Sequence, residues 1–173
     1  MEDPILVVDY DTTWPIKYEQ EKIRILDALG NTIADIQHIG STSVPGLAAK
    51  PVIDIILGLK QLPPSPAQIS SLEAQDYLYC GELGIPGRHY FRRGMPRTHQ
   101  IHSVLVDSEF WKSHILFRDF LRAHPDAAQQ YEVLKRKLAV EFRYDRERYT
   151  DSKSPLIKQL LEKALAWQRL NQV

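Results

Sequence analysis

The chain has 173 residues, enough for one domain with a full hydrophobic core and a helical extension. Its 22 basic and 22 acidic side chains balance, which argues against the positive surplus of proteins that bind extended nucleic acid regardless of sequence. No apolar run approaches the roughly 20 residues of a membrane span, so we expect no membrane partner. The chain has a single cysteine, Cys80, and its acidic start lacks a signal-peptide pattern. Both features favour a cytoplasmic protein.

The first part of the chain alternates helical and β-like segments. Residues 5–8 form a short apolar run, which is either a strand or an arm laid over the core. Trp14-Pro15 begins a helix, because proline is tolerated at the first helical position, and Gly30 ends it. Residues 32–39 and 52–59 are predicted strands that flank a Gly-Ser turn. The apolar positions at nearly helical spacing in the first helix are Ile16, Ile23, Leu26 and Leu29.

The next segments complete a predicted sheet. A serine followed by proline begins a helix over residues 66–75. Glycines and prolines then separate three β-like runs, at residues 77–80, 89–93 and 100–106. This order of elements predicts a mixed α+β region.

Beyond the last predicted strand the pattern is helical. Helices are predicted to begin at Ser108, at Pro125 and at Ser154-Pro155, the last after a polar joint. We therefore predict an α+β fold, with a small mixed β-sheet and flanking helices in residues 1–107 and a helical extension in residues 108–173. The extension is expected to pack on the core as one compact unit.

The turn after the first long strand carries small polar residues. Gly40, Ser41, Thr42 and Ser43 offer backbone N–H groups and three hydroxyls at one turn, which suits them to hold phosphate oxygens. Small polar residues also fill many such turns for backbone reasons alone. The turn is therefore a weak signal until it is combined with an acid in the following strand.

That acid is Asp54, within the apolar run of residues 51–57. An unpaired carboxylate is costly to bury, so we expect a charge beside it. If the second strand returns beside the first, Asp54 lies near the turn. Two-metal phosphoryl-transfer sites need two or three carboxylates, and the natural position for a second one on the same strand face is Ile56. This gap counts against a complete two-metal site.

Basic and histidine side chains supply further candidates. Lys50, four residues before Asp54, could pair with that carboxylate or with a phosphate. Arg88 lies in an arginine-rich segment, and the forked donors of arginine match phosphate well, although a solvated hairpin would also be charged. His99 and His102 face opposite ways on a regular strand, and we favour His102 as the inward one.

Two lysines in the helical part are weaker candidates. Lys135 falls near an apolar face with Tyr131 and Leu138, and Lys153 lies with Tyr149 in the polar joint. For either lysine alone, a stem that covers apolar surface is the simpler interpretation.

Several segments together match a known pattern. They are residues 38–54, which read HIGSTSVPGLAAKPVID, and residues 84–93, 97–99 with His102, 117–122, 134–138 and 149–153. On these segments the chain resembles the GrpB family, over about residues 8–164. The first segment is long and therefore specific.

The resemblance implies a polymerase β-like nucleotidyltransferase fold, in which a Gly-Ser turn holds the phosphates of a nucleotide. In that superfamily an Asp-x-Asp pair and a later acid bind two magnesium ions. Gly40 and Ser41 match the turn and Asp54 matches the first acid, whereas Ile56 occupies the position of the second. Some GrpB relatives carry aspartate there and many do not.

The position of the third acid falls near the last predicted strand. The family often has His-x-His there, and in this chain Gln100 departs from that pattern whereas His102 retains it. The resemblance thus implies a divalent metal, most simply Mg²⁺, held by Asp54 and His102.

Two functions remain open. The first is transfer of a nucleotidyl group from a nucleoside triphosphate to a small acceptor, with catalysis by Asp54, His102 and Lys50. The phosphate-binding residues would then be Gly40, Ser41, Thr42, Ser43, Arg88, Lys135 and Lys153. The alternative is a catalytically reduced module that binds a nucleotide or another phosphorylated small molecule, which the isoleucine at position 56 motivates. A metal-centred hydrolase built on His99, His102 and Asp54 is weaker, because that spacing is not a recognised ligand set.

Overall fold

The computed structural model describes residues 4–171 of the chain. Its helices are α1 (Trp14–Leu29), α2 (Pro66–Glu73), α3 (Glu109–Ala123), α4 (Pro125–Glu141) and α5 (Arg146–Leu170). Its strands are β1 (Ile33–Ile39), β2 (Ile53–Leu59), β3 (Leu78–Tyr79), β4 (His89–Arg93) and β5 (His99–Leu105). The predicted mixed α+β fold is confirmed, and its nucleotidyltransferase-like character stays a prediction. Within the described range, no helix combines the length and the apolar character needed to cross a bilayer.

The five strands form one sheet in the order β1-β2-β5-β4-β3. Strands β2 and β5 run parallel, and the other neighbouring pairs are antiparallel. Asp54 lies opposite Ile39 of β1 and beside Gln100 of β5. The acid therefore lies where the end of β1 meets the beginnings of two other strands.

Alternation along β2 divides its side chains between the two faces of the sheet. Ile55 and Leu57 are buried in the larger core with residues of α1. Ile56 packs on the other face, in a cluster with Trp111 of α3. Asp54 shares the face of Ile56, as alternation predicts, so the acid lies on the side of the sheet that α3 covers.

Helices α3, α4 and α5 pack around the segment that joins β1 to β2. Leu47 of this segment is buried with Phe120 of α3, Tyr131 of α4 and Leu160 of α5. The predicted boundary at residue 107 falls between β5 and α3, and the division into two parts stays a prediction. Through these contacts the helical part encloses the segment that follows the Gly-Ser turn.

The N-terminal apolar run is an arm, one of the two alternatives predicted. Val8 forms an isolated antiparallel bridge with Ala49, with N···O distances of 2.9 and 3.0 Å. The Ile5 N–H donates to the Arg143 carbonyl at 2.8 Å. The arm thus ties the segment between β1 and β2 to the end of α4.

Helix α5 begins at Arg146, so the predicted start at Ser154-Pro155 is wrong. The Asp145 side chain caps the helix by accepting a backbone N–H bond of 3.0 Å, and the proline lies inside the helix. A Ser-Pro pair is typical of a helix start, which explains the error. Tyr149 and Lys153 therefore belong to a helix and not to a polar joint, and with Arg146 they share one helical face.

The buried face of α1 is not the one suggested by its aliphatic residues. Ile16 and Ile23 are 57% and 58% exposed. The buried residues of α1 are Trp14, Tyr18, Glu21, Ile25 and Leu29. A charged residue lies in the middle of the buried face, and its partners Arg93 and Tyr77 are distant in sequence, so the spacing of the aliphatic residues does not reveal this face.

The Glu21 carboxylate is only 3% exposed and joins α1 to the far strands of the sheet. Arg93 of β4 meets both carboxylate oxygens, at 3.0 Å through Nη1 and 2.8 Å through Nη2. The Tyr77 hydroxyl donates to the same carboxylate at 2.9 Å, and Arg24 lies 3.2 Å from it. Such an arrangement stabilises the fold only while all its partners are present.

We predict that Glu21→Gln lowers the free energy of unfolding by about 3 kcal/mol, because it leaves the Arg93 charge buried without its counter-ion. Urea denaturation monitored by circular dichroism measures the change. Glu19→Gln is the matched control, because Glu19 is exposed on the same helix and its loss should have little effect. Equal stability of the two variants would contradict a structural role for Glu21.

Candidate functional site

The turn after β1 is a single 3₁₀ turn over Ser41–Ser43. It is closed by the Ser43 N–H, which donates to the Gly40 carbonyl at 3.1 Å. The Ser43 hydroxyl bonds the same carbonyl at 2.5 Å, and the Thr42 hydroxyl lies 2.9 Å from His38 Nε2. Two of the three predicted phosphate-binding hydroxyls are therefore used inside the protein.

A pocket of about 150 Å³ lies in front of this turn. Gly40, Ser41 and Thr42 line it, whereas Ser43 does not. Asp54 lines the pocket beside them, so the predicted meeting of the turn and the acid is found in the structure. The full lining is Gly40, Ser41, Thr42, Ala49, Lys50, Val52, Asp54, Gln100, Tyr131, Lys135, Arg146, Tyr149 and Lys153.

Gly40 is required by the contact that it makes with Asp54. Its φ of +71° is a conformation that favours glycine. A Cβ at this position would lie 2.5 Å from Asp54 Oδ2, which is too close for any side chain. The glycine thus lets the turn backbone approach the carboxylate directly.

The Asp54 carboxylate is held by neighbours on β5. Gln100 Nε2 donates to Oδ1, and His102 Nε2 lies 3.7 Å from the same oxygen. Burial raises the pKa of Asp54, but the hydrogen bond and charge of His102, the Gln100 bond and the Lys50 charge outweigh it and leave the pKa lowered. Asp54 is therefore ionised at neutral pH.

Three lysines from different elements converge on the pocket. Lys50 comes from the segment before β2, Lys135 from α4 and Lys153 from α5. The ammonium groups of Lys50 and Lys153 lie 5.2 and 4.4 Å from the Tyr149 ring centroid. That of Lys135 lies 4.8 Å from the Tyr131 ring and donates to the Ala48 carbonyl. The tyrosine faces thus give these cations partial compensation inside the protein.

Burial lowers the pKa values of all three lysines. The pKa of Lys135 falls to about 7, first through desolvation and then through the charge of Lys153. The pKa values of Lys50 and Lys153 fall to about 8, first through desolvation and then through neighbouring cations. These ammonium groups therefore lack sufficient anionic neighbours, and a bound anion would stabilise their charged forms.

Besides Ser43, two predicted site residues lie outside the pocket lining, Arg88 and His102. The Arg88 guanidinium donates to the Glu82 and Leu83 carbonyls at 3.0 and 3.2 Å and lies over the Tyr90 ring. Both bonds come from Nη2, so Arg88 helps to hold the loop before β4, and its role in binding phosphate stays a prediction. His102 Nε2 lies 3.7 Å from Asp54 Oδ1, but His102 does not line the cavity.

The donor set does not fit the predicted magnesium site. Magnesium prefers several oxygen ligands, usually carboxylates. Asp54 is the only carboxylate of the pocket lining, and Ile56 is buried in an apolar cluster. Across residues 4–171, no group of three or more histidine, cysteine, aspartate or glutamate side chains is placed to hold a metal ion.

Sequence reasoning missed several residues of the pocket. Arg146 was missed because the start of α5 was misplaced. Asp145 was the signal that could have placed this start correctly, because aspartate commonly caps helices. Tyr131 and Tyr149 were regarded as core or joint residues, yet they line the pocket and lie beside its lysines. Gln100 was noted only as a departure from the family pattern.

Comparison with known proteins gives a consistent assignment. A family model described as GrpB protein matches residues 4–163. The crystal structure of conserved protein GrpB from Enterococcus faecalis superposes with a TM-score of 0.87 at 33% identity, covering 94% of this chain and 99% of that chain.

Two curated relatives are longer than this chain. It is 37% identical over 164 residues to the UPF0157 protein YqkA of Bacillus subtilis, covering 94% of this chain and 48% of that protein. It is 26% identical over 190 residues to a Mycolicibacterium paratuberculosis protein named dephospho-CoA kinase, covering 95% of this chain and 47% of that protein. The chain thus spans about half the length of these relatives. Since the family model covers most of its residues, this chain belongs to the GrpB family.

Proposed function

We propose that the pocket binds the phosphate group of a nucleotide or another phosphorylated small molecule. The observation that carries this proposal is the convergence of Lys50, Lys135, Lys153 and Arg146 on a pocket whose lining contains one carboxylate. A protein that removes several cations from water without enough counter-charge is expected to do so where an anionic ligand supplies the missing negative charge.

The shape of the site supports phosphate as that anion. Backbone N–H groups at a tight turn and lysine ammonium groups are common phosphate donors. A volume of about 150 Å³ suits a phosphate or diphosphate group, with the remainder of a larger ligand outside. The resemblance to a protein named dephospho-CoA kinase is in keeping with a phosphorylated ligand but does not identify it.

Asp54 has a separate role in this proposal. Its carboxylate is ionised and lines the pocket, where it repels a phosphate oxygen but accepts a hydrogen bond from a hydroxyl. The ligand that fits best therefore carries a hydroxyl close to its phosphate, as sugar phosphates and nucleotides do.

Transfer of a nucleotidyl group is the less favoured function. The Gly-Ser turn facing Asp54 supports the polymerase β-like placement, which stays a prediction. Two-metal transfer needs at least a second acid, and the position that would supply it is the buried Ile56. We therefore favour binding without metal-dependent transfer.

The lysine cluster can be tested by Lys135→Met, which keeps the side-chain length and removes the charge. We expect affinity for pyrophosphate to fall about 10- to 100-fold, since a charge-assisted contact contributes about 1.5–3 kcal/mol. Titration calorimetry measures the affinity. Lys158→Met, on the exposed side of α5, is the control and should bind like the wild type. Equal affinity in both variants would contradict the proposal.

The lysine pKa values predict how binding depends on pH. The charged forms bind the anion, and the pKa values of Lys135, Lys50 and Lys153 lie at about 7, 8 and 8 in the free protein. Affinity for pyrophosphate should therefore fall as the pH rises through this range, and binding in it should take up protons. Calorimetry in buffers of different ionisation enthalpy measures the proton uptake. An affinity that is constant up to pH 9 would exclude the lysines as the binding groups.

The approach of the turn to Asp54 can be tested with a pair of glycine variants. In Gly40→Ala the new methyl group would lie 2.5 Å from Asp54 Oδ2, so the turn must move and pyrophosphate binding should fall at least tenfold. Gly46→Ala imposes the same kind of backbone strain, at a φ of +80°, but its methyl group meets no atom within 4 Å. This control should lose about 1–2 kcal/mol of stability and keep its affinity. If both variants bind alike, the close contact is not part of the site.

A further inference from the structure

We propose that the pocket takes its phosphate ligand free of divalent metal, and that magnesium competes with the protein for that ligand. This inference rests on the proposed function and specifies the form of the ligand. In this mode of binding, lysine and arginine side chains supply the positive charge that magnesium ions supply in two-metal phosphoryl-transfer sites.

The first support is the occupation of the Asp54 carboxylate. Oδ1 accepts the Gln100 amide and faces His102 Nε2 at 3.7 Å. Oδ2 lies against Gly40, so closely that a Cβ there would be 2.5 Å away. Each oxygen thus already has a neighbour within the protein, which leaves this carboxylate, with 21% of its side chain exposed, few open positions for an octahedral ion with its own water ligands.

The orientation of the Gln100 amide is fixed by its other partners. Arg97 can only donate, and its Nη1 lies 3.0 Å from the Tyr90 hydroxyl oxygen. The Tyr90 hydroxyl in turn donates to Gln100 Oε1 at 2.6 Å, and Arg97 Nη1 also lies 3.4 Å from that oxygen. Since Oε1 accepts these bonds, Nε2 must be the atom that points at Asp54. A donor, and not a metal ligand, is therefore held against this carboxylate.

The second support is the electrostatic character of the pocket. Burial is the first cause that lowers the pKa values of Lys135 and Lys153, and the charges of Lys153 and Lys50 respectively lower them further, so the ammonium groups already repel one another. A divalent cation beside them would add to this repulsion, whereas a free polyphosphate would relieve it. The pocket therefore discriminates in favour of the uncomplexed anion.

Titration of the wild-type protein with pyrophosphate in EDTA and in excess MgCl₂, with ionic strength matched by KCl, tests the inference. We expect the apparent affinity to be at least tenfold higher in EDTA, because magnesium sequesters the form that binds. Tighter binding in magnesium would overturn the inference and leave the proposed function standing. Absence of binding in both conditions would overturn the proposed function together with the inference.

A pair of variants tests the part assigned to Gln100. Gln100→Asp places a second carboxylate beside Asp54 in the β2–β5 register, so MgCl₂ should raise its melting temperature and strengthen pyrophosphate binding. Gln100→Asn introduces a side chain of nearly the same size as aspartate but without its charge. This variant should therefore respond to magnesium as the wild type does. If the two variants respond alike, Gln100 is not the residue that keeps metal from the pocket.

Discussion

The crowding of one buried and several partly buried cations around one carboxylate is the constraint on which the rest of the site depends. Lys50, Lys135 and Lys153 lose hydration in the pocket, and Asp54 compensates only part of their charge. The folded protein without a ligand therefore carries an electrostatic cost at this place. Because that cost is localised in a cavity beside a tight turn, it motivates the proposal that an anion binds there.

Because of these lysines, the stability of the free protein and its affinity for an anion are expected to change in opposite directions with pH. Their pKa values in the folded protein lie below the ordinary value of 10.5, so between about 7 and 10.5 the unfolded chain binds more protons than the folded one. The stability of the ligand-free protein should therefore rise with pH across this range, since the unfavourable charges are removed. Under the proposed function, affinity for an anion should fall as the pH rises, because it depends on those charges. A site of this kind is most useful near neutral pH, where the lysines are still partly protonated.

Local signals in the sequence were sufficient to predict the strands, the turn and the position of Asp54. Alternation along β2 and the small residues at positions 40–43 are properties of neighbouring residues, and the hairpin brings them together. Lys50, Lys135 and Lys153 are candidates from the sequence, but local signals could not show that they meet, because they are distant from one another in sequence and come together through packing of α4 and α5. The bonds of Arg88 to loop carbonyls could not be predicted either, since composition does not reveal the acceptors of a guanidinium.

The charge balance of the pocket connects the missing acid with the extra lysines. Two magnesium ions held by three carboxylates leave a site with a net charge of about +1. Here three lysines and Arg146 face one carboxylate, which leaves the site more positive when the lysines are protonated, without any contribution from a metal ion. An acid at position 56 would lower this charge and could not be solvated among Ile39, Val104 and Trp111. The isoleucine and the lysines are therefore mutually consistent, because an apolar residue at position 56 leaves the charge of the pocket to Lys50 and to residues of α4 and α5.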